Sequence, residues 1–229
     1  MKSARLGILG GTFDPIHFGH LDAADAASAA MALEEVVLIP AHDQPLRVIE
    51  PRASVYQRFA MTVLAVEDRP ECHVSDMELV RQGRSYTADT LRALHASGRK
   101  GSQLFFILGT DAFAGIAAWQ GYPGFLDLAH FVVIARPGMS LEDATRRTPE
   151  LRDRMSPAPR APAASDGPTR IFLVHARTRD VSSTMIRERV ASGQPIDELV
   201  PPAVARHIYK HHLYGAVDSL HGEDQRTVS

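Results

Sequence analysis

Residues 5 to 20 read Arg5-Leu6-Gly7-Ile8-Leu9-Gly10-Gly11-Thr12-Phe13-Asp14-Pro15-Ile16-His17-Phe18-Gly19-His20, and this order decides the fold. Leu6, Ile8 and Leu9 form a short apolar run that predicts a buried parallel strand. Gly10 and Gly11 end the run; without Cβ atoms they let a ligand approach the backbone. Asp14-Pro15 imposes a turn, because the proline ring fixes φ and restricts the residue before it. Beyond Gly19-His20 an alanine-rich stretch, 21–33, predicts a helix with Leu21, Ala24, Ala27 and Met31 on its packed face.

A strand that passes through glycines into a helix N-terminus is a standard way to hold phosphate, since free N–H groups and the positive end of the helix dipole face the anion. Neither a Walker A Gly-Lys-Ser/Thr nor a GxGxxG fingerprint is present. In their place stand two imidazoles, His17 and His20, at the mouth of the helix. A single histidine there is an ordinary polar or capping residue. Two of them behind Gly-Thr-Phe-Asp-Pro can hydrogen-bond phosphate oxygens without bringing a nucleophile.

The rest of the chain extends the same pattern. Residues 36–40 are a continuous apolar run, read as the second strand. Ser54 predicts the N-cap of a helix to about residue 67, with Tyr56, Phe59, Ala60, Val63 and Leu64 buried. A strand is expected over 73–79, a turn over 81–84, and a helix over 88–95 capped by Thr87 or Ser85. Strands over 104–108 and 130–135 flank a helix carrying Phe113, Ile116 and Trp119, and Asp111 suits that helix's first turn. Residues 141–155 read as a charged surface helix and 156–168, with four prolines, as a flexible insertion. A last strand over 171–174 precedes a helix starting near Ser182 and another at Pro201-Pro202. The tail, 215–229, is expected to be disordered. Strands alternating with helices mean an α/β fold: a doubly wound, mainly parallel sheet with a C-terminal helical segment.

Composition bounds the function. At 229 residues with 45% hydrophobic and 23% charged side chains, the chain fits one globular α/β domain. Twenty-five basic against 27 acidic residues leave a formal charge of −2, which lacks the electrostatic footprint of a nucleic-acid binder. Cys72 is the single cysteine, which excludes an internal disulfide framework or a cysteine-rich zinc site. No apolar run approaches the roughly 20 residues that span a bilayer, and Met1 to Arg5 leads directly into the first strand without a signal peptide. A cytoplasmic protein is the expectation; the oligomeric state is left open.

Ser182-Ser183-Thr184 supplies three hydroxyls beside the N–H groups of a helix start, with Arg187 one turn further on. Alone this is an ordinary cap. Together with the first stretch it resembles the nucleotidyltransferase superfamily, whose (T/H)xGH motif matches His17-Phe18-Gly19-His20 and whose ISSTxIR motif matches residues 181–187 with Val181 in the first position. Ser85-Tyr86-Thr87 with Asp89-Thr90-Leu91, then Gly109-Thr110-Asp111-Ala112-Phe113 and Trp119, narrow the likeness to nicotinate-nucleotide adenylyltransferases. The resemblance covers residues 5–138 and 170–213 and implies a single domain over 1–214.

The resemblance implies that ATP and nicotinate mononucleotide give nicotinate adenine dinucleotide and pyrophosphate. It assigns His17, His20 and Arg187 to charge stabilisation at the phosphates. Gly10, Gly11, Thr12, Phe13, Gly19, Arg47, Ser182, Ser183 and Thr184 would bind ATP, with Mg²⁺ carried by the ATP phosphates and no protein metal cage. Tyr86, Thr87, Asp111 and Trp119 would bind the mononucleotide, Trp119 stacking on the pyridine ring. The chain departs from the family at residues 44–47: Gln-Pro-Leu-Arg replaces a Pro-Pro-His-Lys-like run, so Arg47 keeps the charge of the usual lysine with different geometry. Other phosphate acceptors stay open, namely nicotinamide mononucleotide, phosphopantetheine or a polyol phosphate, as does a nucleotide-binding module without turnover.

Overall fold

A computed structural model describes residues 5–45, 50–135, 138–157 and 167–216. Seven parallel strands form one sheet in the order β3-β2-β1-β4-β5-β7-β6. They are β1 Leu6–Gly11, β2 Glu35–Pro40, β3 Cys72–Val74, β4 Leu104–Gly109, β5 His130–Ile134, β6 Met155–Pro157 and β7 Ile171–Val174. The order reverses between β1 and β4, so the crevice at their carboxyl ends is where an open α/β sheet binds ligands. Among the described residues eight α-helices join them: α1 Phe18–Met31, α2 Val55–Ala65, α3 Met77–Arg81, α4 Thr87–Ala96, α5 Thr110–Ala114, α6 Leu141–Arg146, α7 Ser183–Ala191 and α8 Pro202–Lys210.

Because side chains of a strand alternate between faces, the central strands feed two cores. Leu9 faces one with α1, α2, α7 and α8, whereas Leu6 and Ile8 face the other with α4, α5 and α6. The doubly wound expectation holds. Among the described residues no helix is long and apolar enough to cross a membrane.

Five local expectations are corrected. Helix α2 buries Arg58, Met61, Thr62 and Ala65 in place of the predicted face, and Tyr56 is 79% exposed. The cause is Arg58, 1% exposed, whose guanidinium donates to the carbonyls of Thr12 (2.6 Å), Ala41 (2.8 Å) and His42 (3.2 Å). Satisfying a buried cation outweighs the rotation that apolar periodicity alone suggests.

The predicted strand over 73–79 stops at Val74, and Met77–Arg81 is helical. Neither Ser85 nor Thr87 caps α4; Tyr86 holds the cap position without a side-chain bond, while Ser85 Oγ accepts from the His42 N–H at 2.9 Å. Helix α5 ends at Ala114, and a short 3-10 turn, Ile116–Ala118, separates it from Trp119.

The fifth correction concerns 141–155, which is no single surface helix. Leu141, Ala144 and Leu151 are buried, and the segment continues into β6, an edge strand paired with β7. The first two residues of the expected insertion, Ser156 and Pro157, therefore belong to the sheet. Residues 158–166 and the tail from 217 lie outside the described residues, as does Arg47.

Candidate active site

The Gly-Thr-Phe-Asp-Pro loop runs from the end of β1 to the start of α1. A Cβ on Gly11 would sit 2.7 Å from the Phe13 ring, so glycine there lets that ring fold beneath the loop. Phe13 is 1% exposed and meets the His20 ring edge-on, centroids 5.0 Å apart. The Phe13 ring is thus buried beneath the loop and packs against His20.

His17 precedes the first residue of α1 and is 2% exposed; its ring packs on that of His20 at 3.8 Å. The His17 N–H donates to His20 Nδ1 at 3.3 Å. Gly19 sits beneath the His17 ring, where a Cβ would come within 3.2 Å. His20 alone of the pair lines the cleft. The local sequence thus builds one accessible imidazole, oriented by a buried one.

The second signature docks on the first. Ser183 Oγ donates to the Pro15 carbonyl at 2.9 Å, and Arg187 Nη1 donates to the Asp14 carbonyl at 2.7 Å. Ser182 caps α7 by accepting from the Met185 N–H at 3.1 Å, and Thr184 Oγ1 accepts from Arg187 at 3.0 Å. The hydroxyls expected on phosphate thus join the loops, and the first-turn N–H groups of Ser183 and Thr184 remain the anion donors that a helix start offers. Arg187 serves the loop backbone in this conformation.

Asp14, which the sequence marked only as a turn residue, is central to this junction. Its 1%-exposed carboxylate accepts from the N–H groups of Arg52 (2.9 Å) and Ala53 (3.0 Å) and from the Tyr214 hydroxyl (2.9 Å), with Arg187 Nη1 3.8 Å away. Burial, then the neighbouring Asp14, pushes the Tyr214 phenol far above its usual range, so it stays protonated and donates to that carboxylate. A second guanidinium, that of Arg179, grips Asp22 of α1 at 2.7 and 3.0 Å and lies 3.8 Å above the Phe18 ring. Burial opposes the Asp22 charge, but the bonds from Arg179 outweigh it and hold the carboxyl below its usual range.

Between β1, β4 and α4 lies a cleft in two connected chambers. The inner one, about 170 Å³, is lined by Gly10, Gly11, His20, Glu78 and Phe106 among others; the outer one is about 580 Å³. Gln44, Ser85, Thr87, Asp111, Ala112 and Trp119 line both. Thr12 reaches over the mouth, donating to Gln44 Oε1 at 2.6 Å. One face of Trp119 stacks on Phe125 at 6.0 Å and its edge meets Phe106 at 6.1 Å, leaving the other side of the indole on the cleft. Glu78, buried and missed by sequence reasoning, accepts from Thr90 Oγ1 on the chamber floor. The cleft thus brings together His20, Gly10, Gly11, Tyr86, Thr87, Asp111 and Trp119; His17, Phe13 and Arg187 stand behind it.

Among the described residues no group of three or more His, Cys, Asp or Glu could hold a metal ion. Burial, with Glu71 beside it, pushes the Cys72 thiol up to about 11, so it is no nucleophile at neutral pH.

Comparison with known proteins places this geometry. The cytidylyltransferase-like family matches residues 8–189. The chain is 42% identical over 214 residues to the "probable nicotinate-nucleotide adenylyltransferase" of Roseiflexus sp. strain RS-1, covering 93% of this chain and 100% of that one. It is 39% identical over 210 residues to the protein of the same name from Herpetosiphon aurantiacus, covering 92% and 98%. Among solved structures, the Plasmodium falciparum nicotinic acid mononucleotide adenylyltransferase complexed with NaAD superposes with a TM-score of 0.68 at 16% identity, over 92% of this chain and 97% of that one. At that identity the likeness is one of fold.

Proposed function

Because this chain belongs to the nicotinate-nucleotide adenylyltransferase family, we infer that its cleft transfers the adenylyl group of ATP to nicotinate mononucleotide, a step of NAD biosynthesis. The observation that carries the reading is the docking of α7 on the Gly-Thr-Phe-Asp-Pro loop through Ser183 and Arg187, beside a cleft floored by Trp119. In this reading the starts of α1 and α7 supply donors for the triphosphate, and Trp119 supplies a flat aromatic surface for the ring of the mononucleotide.

In the reaction an oxygen of the mononucleotide's 5′-phosphate attacks the α-phosphorus of ATP in line. One P–O bond forms, the α–β bridge breaks, and pyrophosphate leaves with the electron pair. A phosphate with a second pKa near ~6 is already an anion at neutral pH, so the site needs no general base. Its work is positioning and charge stabilisation. His20, on the cleft wall, donates to phosphate oxygen; His17 fixes its ring; the Ser183 and Thr184 N–H groups hold the β- and γ-phosphates. Arg187 acts there by fixing the loop, or by turning from the Asp14 carbonyl to the anion. Thr87 and Tyr86 face the base, and Asp111 the ribose.

Mg²⁺ held by the triphosphate and water would neutralise phosphate charge. ATP and a mononucleotide as substrates fit a cytoplasmic enzyme.

The test is pyrophosphate release from ATP with nicotinate mononucleotide, beside parallel reactions with nicotinamide mononucleotide and phosphopantetheine. Release with the nicotinate compound at the highest kcat/KM supports the reading. Release only with another acceptor, or none with any, overturns it.

A further inference from the structure

The cleft has a direction. Gly10, Gly11 and His20 line only its inner chamber, whereas Arg84, Tyr86, Ala118 and Gln120 line only the outer one. A mononucleotide carries phosphate at one end and its base substituent at the other. With the phosphate at His20 and the ring on Trp119, the substituent of the ring lies in the outer chamber. There, among the described lining residues, Arg84 is the only cation and Asp111 the only carboxylate.

Arg84 stands on the turn between α3 and α4, and its backbone is fixed. It bridges to Asp43, while the next residue, Ser85, donates its N–H to the Asp43 carbonyl at 2.7 Å and accepts the His42 N–H on its hydroxyl. The exposed guanidinium has the Tyr86 phenol and the Asp43 carboxylate as neighbours, and both favour its charged form. A neutral phenol is a weaker partner for guanidinium than a carboxylate, which takes two parallel charge-assisted bonds. A carboxylate arriving at the outer chamber therefore competes with Tyr86 for Arg84, and a neutral amide does not.

We propose that Arg84 is a specificity-determining residue that selects the acidic mononucleotide by pairing with the carboxylate of its ring. The proposal rests on the adenylyl-transfer reading above and adds to it a residue outside both signatures. Because the guanidinium is exposed, its attraction is screened by salt, so the selectivity it supplies weakens as ionic strength rises.

The experiment compares kcat/KM for nicotinate and nicotinamide mononucleotides, at low and high salt, in the full-length protein and in Arg84→Gln and Arg84→Lys. For R84Q the acid-to-amide ratio is expected to fall about 2- to 5-fold, the range for one exposed charged contact, through a higher KM for the acid with the amide changed less than about 1.5-fold. R84K should retain part of the ratio. The parent's ratio should shrink with salt while that of R84Q stays flat. A parent that prefers the acid together with an R84Q that keeps the full ratio would overturn the role of Arg84 and leave the adenylyl-transfer reading standing. A parent with no preference overturns the acid selectivity itself, and Arg84's role with it. An unchanged melting temperature in both variants confirms that the comparison is between folded proteins.

Discussion

The hydroxyl of Tyr214 donates to Asp14 Oδ1 at 2.9 Å, tying the C-terminal turn to the phosphate loop across 200 residues. The same carboxylate holds the N–H groups of Arg52 and Ala53 and lies 3.8 Å from Arg187. One buried anion thus joins the loop after β1, the entry to α2, the second signature and the end of the described chain. Tyr214→Phe keeps the ring and removes one donor from a buried charge, which costs about 1–3 kcal/mol. Urea denaturation should show that loss, and kcat should fall with a smaller change in KM because the loop loosens. A Phe variant as stable and as fast as the parent would remove the hydroxyl from the account.

His20 and His17 should separate by mutation. His20 lines the cleft, so His20→Ala is expected to keep its circular dichroism spectrum and lose at least ~10²-fold in turnover, the scale of one transition-state donor. His17 is 2% exposed and packs on its neighbour's ring, so His17→Ala should lower the melting temperature as well as the rate. Turnover close to normal in folded H20A would contradict the assignment.

Trp119 turns one side to the cleft and the other to Phe125. Trp119→Ala should raise KM for both mononucleotides together by roughly 2- to 10-fold, the value of one aromatic contact. Thr87→Val should instead change their ratio, because it removes a donor from the base end. Steady-state kinetics with the two substrates distinguishes these patterns; a selective loss of one substrate in W119A would mean that the indole reads the substituent.

Arg58 presents a stability test with no ligand in it. Its guanidinium satisfies three carbonyls from the two loops that flank the cleft. Arg58→Met leaves those acceptors without their donor and should cost roughly 2–4 kcal/mol, measured by thermal or urea unfolding. A loss under about 0.5 kcal/mol, the range of exposed sites, would show that water replaces the guanidinium readily.

His130 predicts a pH dependence. Its ring stacks on Phe105 at 4.9 Å, its Nδ1 accepts from the Arg170 N–H at 3.0 Å, and burial, followed by Arg5 and Arg170, lowers its pKa to about 4. An unfolded chain titrates this group near 6.5, so the unfolded state binds the proton first. His130's contribution is complete above about pH 6.5 and is lost as pH falls through about 4, with a limiting slope of about 1.4 kcal/mol per pH unit. Unfolding free energies between pH 7 and 5 should fall less steeply in His130→Asn. Equal slopes would mean that His130 titrates alike in the folded and unfolded chain, so that burial does not hold it neutral.

The amino-acid sequence by itself determined the architecture and marked the two stretches that dock on each other beside the cleft. Continuous apolar runs such as 36–40 and 104–108 are long enough to name buried strands, and their alternation with helical periods leaves a doubly wound sheet as the arrangement. The Gly-Thr-Phe-Asp-Pro and His17-Phe18-Gly19-His20 run and the Ser182–Arg187 run carry their chemistry locally, so each was legible before any contact was known. Tertiary structure decided what each side chain does there. Which face of α2 is buried depended on Arg58 finding carbonyls in two distant loops. The edge strand β6 was hidden because three residues with no period become a strand only when β7 lies beside them. Asp14 read as a turn former until Tyr214, Arg52 and Arg187 converged on it, and Arg84 read as a turn residue until the outer chamber formed around Trp119. Periodicity and motifs report what a residue does with its neighbours in sequence; buried charges and cleft walls are set by partners that only folding brings within hydrogen-bond reach.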